Sequence, residues 1–136
     1  ILPTTQVFYS SPKQFNTYPI EKREYENGYH LTKQILSEGF DAYIGNNDMT
    51  ALGILSCLKD NNVKASVAGF DNIPETSYPQ IQLTTVDHGA CEKGKQAVDL
   101  LLEQTKSERK RIVHMEYEPQ LIIRLSTLNR KKSSSQ

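Results

Sequence analysis

The sequence predicts an α/β fold built on a parallel sheet, and three features predict it. Short apolar runs alternate with stretches whose apolar residues return every three or four positions, so strand and helix patterns take turns along the chain. The run Ser66-Val67-Ala68-Gly69-Phe70 is nearly uninterrupted in small and apolar residues, as in a strand covered on both faces of a parallel sheet. Finally, the apolar run that stops at Gly45 passes through Asn46-Asn47-Asp48 straight into a helical pattern opening at Ala51, the strand-to-helix exit that a right-handed crossover requires.

Taken in order, Gln6-Val7-Phe8-Tyr9-Ser10 is short, aromatic and bounded by Ser-Ser-Pro, which predicts a strand. Residues 11–20 are polar, carry Pro12 and Pro19, and predict a loop. Over residues 21–38 Tyr25, Tyr29, Thr32, Ile35 and Leu36 recur at helical spacing, with Glu21 and Glu24 suited to the positive end and Gly39 to the stop. Residues 40–45 predict a second strand. A helix over residues 48–61 follows, with Asp48 as its N-cap, Ala51, Leu52, Leu55 and Leu58 inward, and Asn61-Asn62 as its end. After the strand at 66–70 comes a long loop, residues 72–82, then the β-prone Leu83-Thr84-Thr85-Val86. Cys91, Gly94, Val98, Leu101, Leu102 and Thr105 mark a third amphipathic helix, and residues 112–117 and 120–124 are two further strand candidates. The tail from Asn129, with Arg130-Lys131-Lys132 and three serines, reads as a disordered end.

Composition removes several function classes. The 136 residues make one domain, and 16 basic against 16 acidic residues leave no overall field to recruit nucleic acid or an anionic membrane. No apolar run approaches the roughly 20 residues of a membrane span. The chain opens Ile-Leu-Pro without a Met, as expected of a fragment or a processed product. Cys57 and Cys91 fit no CxxC motif and read as two free buried thiols. GxxxxGK[ST], GxGxxG, HExxH and GxSxG motifs are all absent, and His30, His88 and His114 are scattered without a nucleophile, so the sequence predicts neither an enzyme nor a metal or cofactor site.

What remains is polar side chains at two neighbouring strand exits: Asn46, Asn47 and Asp48 after one, Asp71 and Asn72 after the next. Carboxylates and amides at such corners can grip vicinal hydroxyl groups in pairs. Asp71 stands out, because an acidic residue directly after a buried strand needs a partner or solvent.

Asn46-Asn47-Asp48-Met49-Thr50-Ala51-Leu52-Gly53, then Val67-Ala68-Gly69-Phe70-Asp71-Asn72, then Leu83-Thr84-Thr85-Val86, and lastly Pro119-Gln120-Leu121-Ile122-Ile123-Arg124-Leu125-Ser126-Thr127 resemble, in this order, the effector-binding domain of the lactose-repressor/galactose-repressor family of transcription regulators. That resemblance implies a periplasmic-binding-protein-like fold of two α/β subdomains. Of these, this chain resembles the C-terminal one, residues 1–128, a three-layer parallel-sheet unit with residues 129–136 as its tail. It implies a sugar or similar small polar effector in the cleft, a homodimer in the cytoplasm, and contact with DNA only through a headpiece that this sequence does not contain. Asn47 and Asp71 match effector-contacting positions; Asn72 joins them, and His88 falls where a further contact lies, though its residue type is not the usual one. Asn46 and Asp48 are expected to support or cap. The segment between Gly53 and Gly69 is shorter than the family's and lacks its proline. The helix at residues 90–105 would belong to the other subdomain, so its apolar stripe is expected either to meet a second copy or to turn onto the chain's own sheet. A transport sugar-binding protein shares the fold and is the alternative reading. A small enzyme using Asp48 or Asp71 as a base is a third.

Overall fold

The structure, a computed structural model, describes residues 5–106 and 111–128. Its centre is a narrow sheet. Strand β1 (Ala42–Ile44) pairs in parallel with β2 (Ser66–Ala68), with Tyr43 opposite Val67. Ala68 bridges in parallel to Thr84, just before β3 (Thr85–Asp87), and β3 pairs antiparallel with β4 (Gln120–Ile122). The spatial order is therefore β1-β2-β3-β4, a parallel core with an antiparallel final strand.

Helix α3 (Asp48–Asp60) crosses from β1 to β2 and supplies most of the core: Ala51, Ile54, Cys57 and Leu58 are buried together with Tyr43, Val67 and Leu83. Of the residues expected inward, Ala51 and Leu58 are buried and Leu52 and Leu55 are half-buried against the same core; Gly53, Ile54 and Cys57 are buried as well, because a second helix shares α3 with the sheet. That helix, α2 (Arg23–Ile35), approaches α3 backbone to backbone. A Cβ on Gly53 would strike the carbonyl oxygen of Tyr25 and lie 2.8 Å from the Tyr29 nitrogen, while one on Gly28 would strike the carbonyl oxygen of Thr50. Only glycine permits this approach. The Tyr25 hydroxyl donates to Ser56 at 2.7 Å and the Tyr29 hydroxyl to Asp60 at 3.0 Å, fastening the pair along its length.

The helix ends follow their residue chemistry. Short 3₁₀ turns flank α2 at Ile20–Lys22 and Leu36–Glu38, and Gly39 closes the latter in the left-handed region at φ 67°. Asn61 caps α3, with Asn62 left-handed after it at φ 54°.

Several expectations fail, each for an identifiable reason. Residues 6–10 form no strand: they run beside the sheet without pairing, with Val7 and Tyr9 exposed and the Phe8 ring against Phe40 at 5.6 Å. The loop at 11–20 contains a one-turn helix, α1 (Pro12–Phe15), started by the Ser11 side chain accepting from the Gln14 N–H and by proline in its first turn. The loop at 72–82 likewise contains a 3₁₀ turn, Pro74–Ser77. Residues 112–117 are not a strand; Val113, Met115 and Tyr117 instead face Lys93, Ala97 and Leu100 on the last helix, α4 (Ala90–Lys106). Cys57 is buried as expected, but Cys91 is exposed. No residue of α4 is buried, and its stripe of Val98, Leu101 and Leu102 is open rather than turned onto the sheet. The tail at 129–136 lies outside the described residues. Among the described residues no helix is long and apolar enough to cross a membrane.

Candidate functional site

The two strand exits meet. The Asp48 N–H donates to the Phe70 carbonyl at 2.8 Å, so the corner after β1 lies directly against the corner after β2. The roles within the first corner differ from expectation. The cap of α3 is Asn47, whose Oδ1 accepts from the Thr50 N–H at 2.9 Å, while Asp48 stands one residue inside the helix with no exposed surface. From there it ties three elements. Its Oδ1 accepts from the Thr85 hydroxyl at 2.6 Å on β3, and its Oδ2 from the Ile73 N–H at 2.9 Å beyond β2. Burial raises the Asp48 carboxyl above the ordinary carboxylate range; the donors Thr85 and Ile73 pull it back part of the way, and the nearby Asp71 charge pushes it up. Gly69 makes this possible, since a Cβ there would strike Asp48 Oδ1. Asp48 is thus a buried fastener of the site's floor and not a cap.

Asp71 emerges where the floor ends. Its N–H donates to the Val86 carbonyl at 2.9 Å, which continues the β2–β3 contact, and its φ is 112°, a region sparsely occupied by non-glycine residues. Its carboxylate, about 40% exposed, meets His88 Nε2 at 3.2 Å. Lys93 Nζ lies 3.2 Å from His88 Nδ1. An ammonium can only donate, so in this contact Nδ1 accepts, which leaves Nε2 to donate to Asp71. The imidazole stacks on the Phe70 ring, centroids 5.4 Å apart at 14°. Asp71 is therefore presented to solvent beside a flat aromatic pair, with one face of its carboxylate held.

Asn72, left-handed at φ 54°, turns inward. Its Nδ2 donates to Asp87 Oδ2 at 2.9 Å, and its Oδ1 accepts from Arg124 Nη2 at 2.9 Å. Arg124 also donates through Nη1 to the Leu83 carbonyl at 2.8 Å and to the Thr76 hydroxyl at 3.1 Å. The Asp87 carboxyl is held below the ordinary range by the Gly89 N–H first and the Asn72 amide second. Both ends of the Asn72 amide are thus engaged within the chain, whereas Asn46 is exposed at the mouth of the corner. The structure brings Asn46, Asn47, Asp71 and His88 to one side of the sheet's carboxyl ends. It adds Arg124, whose positioning role had one visible signal, a lone cation inside the apolar run 121–125. No group of three or more His, Cys, Asp or Glu side chains among the described residues could hold a metal ion.

A polar corner at the carboxyl ends of parallel strands, floored by a buried carboxylate, is the place where α/β folds of this kind hold their ligands. Residues 10–127 match the model of the periplasmic binding protein-like domain, and the chain belongs to that family. Its relatives there are regulators of the lactose-repressor/galactose-repressor type, and this chain is part of such an effector-binding domain. It is 32% identical over 115 residues to the HTH-type transcriptional repressor PurR of Pasteurella multocida, covering 79% of this chain and 34% of the relative. To the PurR repressor of Vibrio parahaemolyticus it is 37% identical over 82 residues, 57% of this chain and 25% of the relative. A LacI-family regulator from Corynebacterium glutamicum superposes with TM-score 0.66 at 30% identity, over 78% of this chain and 43% of that one. One from Enterococcus faecium, solved with bound ribose, superposes with TM-score 0.71 at 25% identity, over 76% and 40%. The chain spans about a third of the length of the Pasteurella multocida PurR relative.

Proposed function

We propose that this chain is the C-terminal half of the sensor of a cytoplasmic DNA-binding transcription regulator, a repressor, whose small polar effector, a sugar or a purine, changes operator affinity. The observation that carries the reading is Asp71, a half-exposed carboxylate on strained backbone at the meeting point of two strand exits, in a chain whose relatives are repressors. Strained backbone persists only where its surroundings over-determine it, and such residues cluster at ligand clamps. In this reading Asp71 accepts hydrogen bonds from effector hydroxyl or N–H groups. Asn46 and the Nδ2 of Asn47 donate from the facing corner, and the Phe70–His88 pair gives a flat surface for a ring. Asn72, Asp48 and Arg124 hold the corner and do not touch the effector. A second subdomain supplies the opposite wall, and the effector shifts the population of closed clefts, which resets the spacing of two headpieces in a homodimer.

The test is Asp71→Ala in the full-length regulator, with operator binding followed by fluorescence anisotropy while ribose, cellobiose and guanine are titrated. Operator affinity without effector should stay unchanged, and the response of the unsubstituted protein to whichever compound is active should fall roughly 10- to 100-fold, the scale of losing a charged hydrogen-bond acceptor. An unaltered response removes Asp71 from the site.

A further inference from the structure

A chain of polar contacts runs from the Asp71 carboxylate into α4. His88 Nε2 meets the carboxylate at 3.2 Å, and Lys93 Nζ meets the other ring nitrogen, Nδ1, also at 3.2 Å. The ammonium is held in turn by the Tyr117 ring, whose centroid lies 5.3 Å away, and the Tyr117 hydroxyl donates to Gln96 Oε1 at 2.7 Å on the next turn of α4. Helix geometry explains the reach of Lys93. A helical side chain leans toward the N-terminus of its helix, so a long lysine near the start of α4 covers the ground ahead of it, where His88 stands. That start is itself tied to the site. Asp87 Oδ1 accepts from the Gly89 N–H at 2.8 Å while its Oδ2 accepts from the Asn72 amide at 2.9 Å, and Gly89 turns into the helix at φ 73°.

Each contact removes a freedom. Asp71 is about 40% exposed, so water competes for its oxygens and nothing in its own rotamer holds the carboxylate in place. An imidazole pinned at one nitrogen can still swing about its side-chain bonds. Pinned at both nitrogens and stacked on Phe70, it becomes a fixed donor to Asp71. On the reading of Asp71 as the effector's acceptor, we propose that Lys93 is a positioning residue of that site: acting through His88, it fixes the Asp71 carboxylate and so sets effector affinity without touching the effector. Recognition is shaped by the same contacts. With both ring nitrogens engaged, His88 offers the effector a flat face and no hydrogen bond, which leaves the polar selection on this side to Asp71.

The test begins with the ring. In the chain labelled with nitrogen-15 at histidine, at about pH 8.5, roughly two units above the ordinary imidazole value, His88 should carry its proton on Nε2; the signal lost in His88→Gln identifies it. Lys93→Met should shift the Nδ1 resonance and leave the Nε2 proton in place, whereas Lys93→Arg, which keeps a donor over Tyr117, should shift it less. A proton on Nδ1, or an Nδ1 resonance indifferent to Lys93→Met, would overturn the proposal. The second arm uses the full-length regulator, with operator binding followed while ribose, cellobiose and guanine are titrated. Lys93→Met should weaken the response about 5- to 10-fold, the scale of one hydrogen bond, and should weaken it no further in a His88→Ala background. Equal losses in both backgrounds would overturn the route through His88. A response that Asp71→Ala removes and Lys93→Met leaves intact would overturn the part assigned to Lys93 and spare the site. One that survives Asp71→Ala overturns the site itself, and the proposal with it, even where the ring resonances behave as expected.

Discussion

Replacing Asp48 by Ala removes two hydrogen bonds inside the fold and strands their donors, the Thr85 hydroxyl and the Ile73 N–H. Leaving a buried donor unpaired costs ~1–3 kcal/mol, so the pair costs about 2–6 kcal/mol. Removing a buried carboxylate returns part of that, and about 2–4 kcal/mol of net destabilisation remains. Against a domain stability of ~5–15 kcal/mol this is a large share. With a urea m-value of ~1–3 kcal/mol/M, the unfolding midpoint followed by far-UV circular dichroism should fall by roughly 1–2 M. Asp48→Asn is the informative companion: its Oδ1 can still accept from Ile73 and its Nδ2 can donate to Thr85 Oγ1, so it should stay within about 1 kcal/mol of the unsubstituted chain at neutral pH. The pH dependence separates the two explanations. A carboxyl raised by burial binds its proton more tightly in the folded chain than in the unfolded one, so its contribution to stability is fully present below the unfolded value near 3.8 and is lost as pH rises through the folded value. The stability of the unsubstituted chain relative to Asp48→Asn should therefore rise on acidification. Thr85→Val should cost less in the Asp48→Ala background than alone, since the two share one bond. An Asp48→Ala chain within ~0.5 kcal/mol of the original, or a difference from Asp48→Asn that grows toward alkaline pH, would refute the reasoning.

Two further substitutions test the supports of the site. Gly53→Ala drives a methyl into the Tyr25 carbonyl and must push α2 off α3, so a loss of ~1–3 kcal/mol in urea unfolding is expected; an unchanged or raised midpoint would show that the helices can separate freely. Arg124→Lys keeps the charge but loses the fork that reaches Leu83, Thr76 and Asn72 at once. Amide exchange at Asn72 and Ile73 should quicken about tenfold, and exchange at the original rate would deny Arg124 its hold on that turn.

The order of strands and helices through residue 106 was legible wherever one pattern sufficed. Periodicity found α2, α3 and α4, the apolar run found β2, and Gly39 marked the end of its helix by being glycine. The role of Asp48 was not legible, because Asn47 and Asp48 satisfy the same capping rule and only the spacing to the Thr50 N–H in three dimensions decides between them. The internal partners of Asn72 were not legible for a similar reason: an amide at a strand exit looks identical in sequence whether it faces solvent alone or also, as here, Asp87 and Arg124, which lie 15 and 52 positions away. Residues 6–10 and 112–117 have strand composition without a strand's neighbour. Strand propensity describes fitness for a half-buried pleated surface, and neither segment pairs with a strand among the described residues. The inward face of α3 was legible in Ala51, Leu52, Leu55 and Leu58, but not its extension to Gly53 and Ile54, because the glycine contact with α2 leaves no trace in the spacing of the larger apolar residues.

The contact between Gly69 and Asp48 restricts how such a chain can drift. Any side chain at position 69 must evict the carboxylate, an evicted carboxylate leaves Thr85 and Ile73 without their acceptor, and no single substitution at the other positions repairs the loss. Positions 48, 69 and 85 are therefore coupled: a side chain at position 69 and the pair of acceptor bonds made from position 48 exclude each other, whichever of Asp or Asn supplies those bonds. Asn46 and the ring at position 88 lie outside this fastening, so substitutions there leave the floor intact.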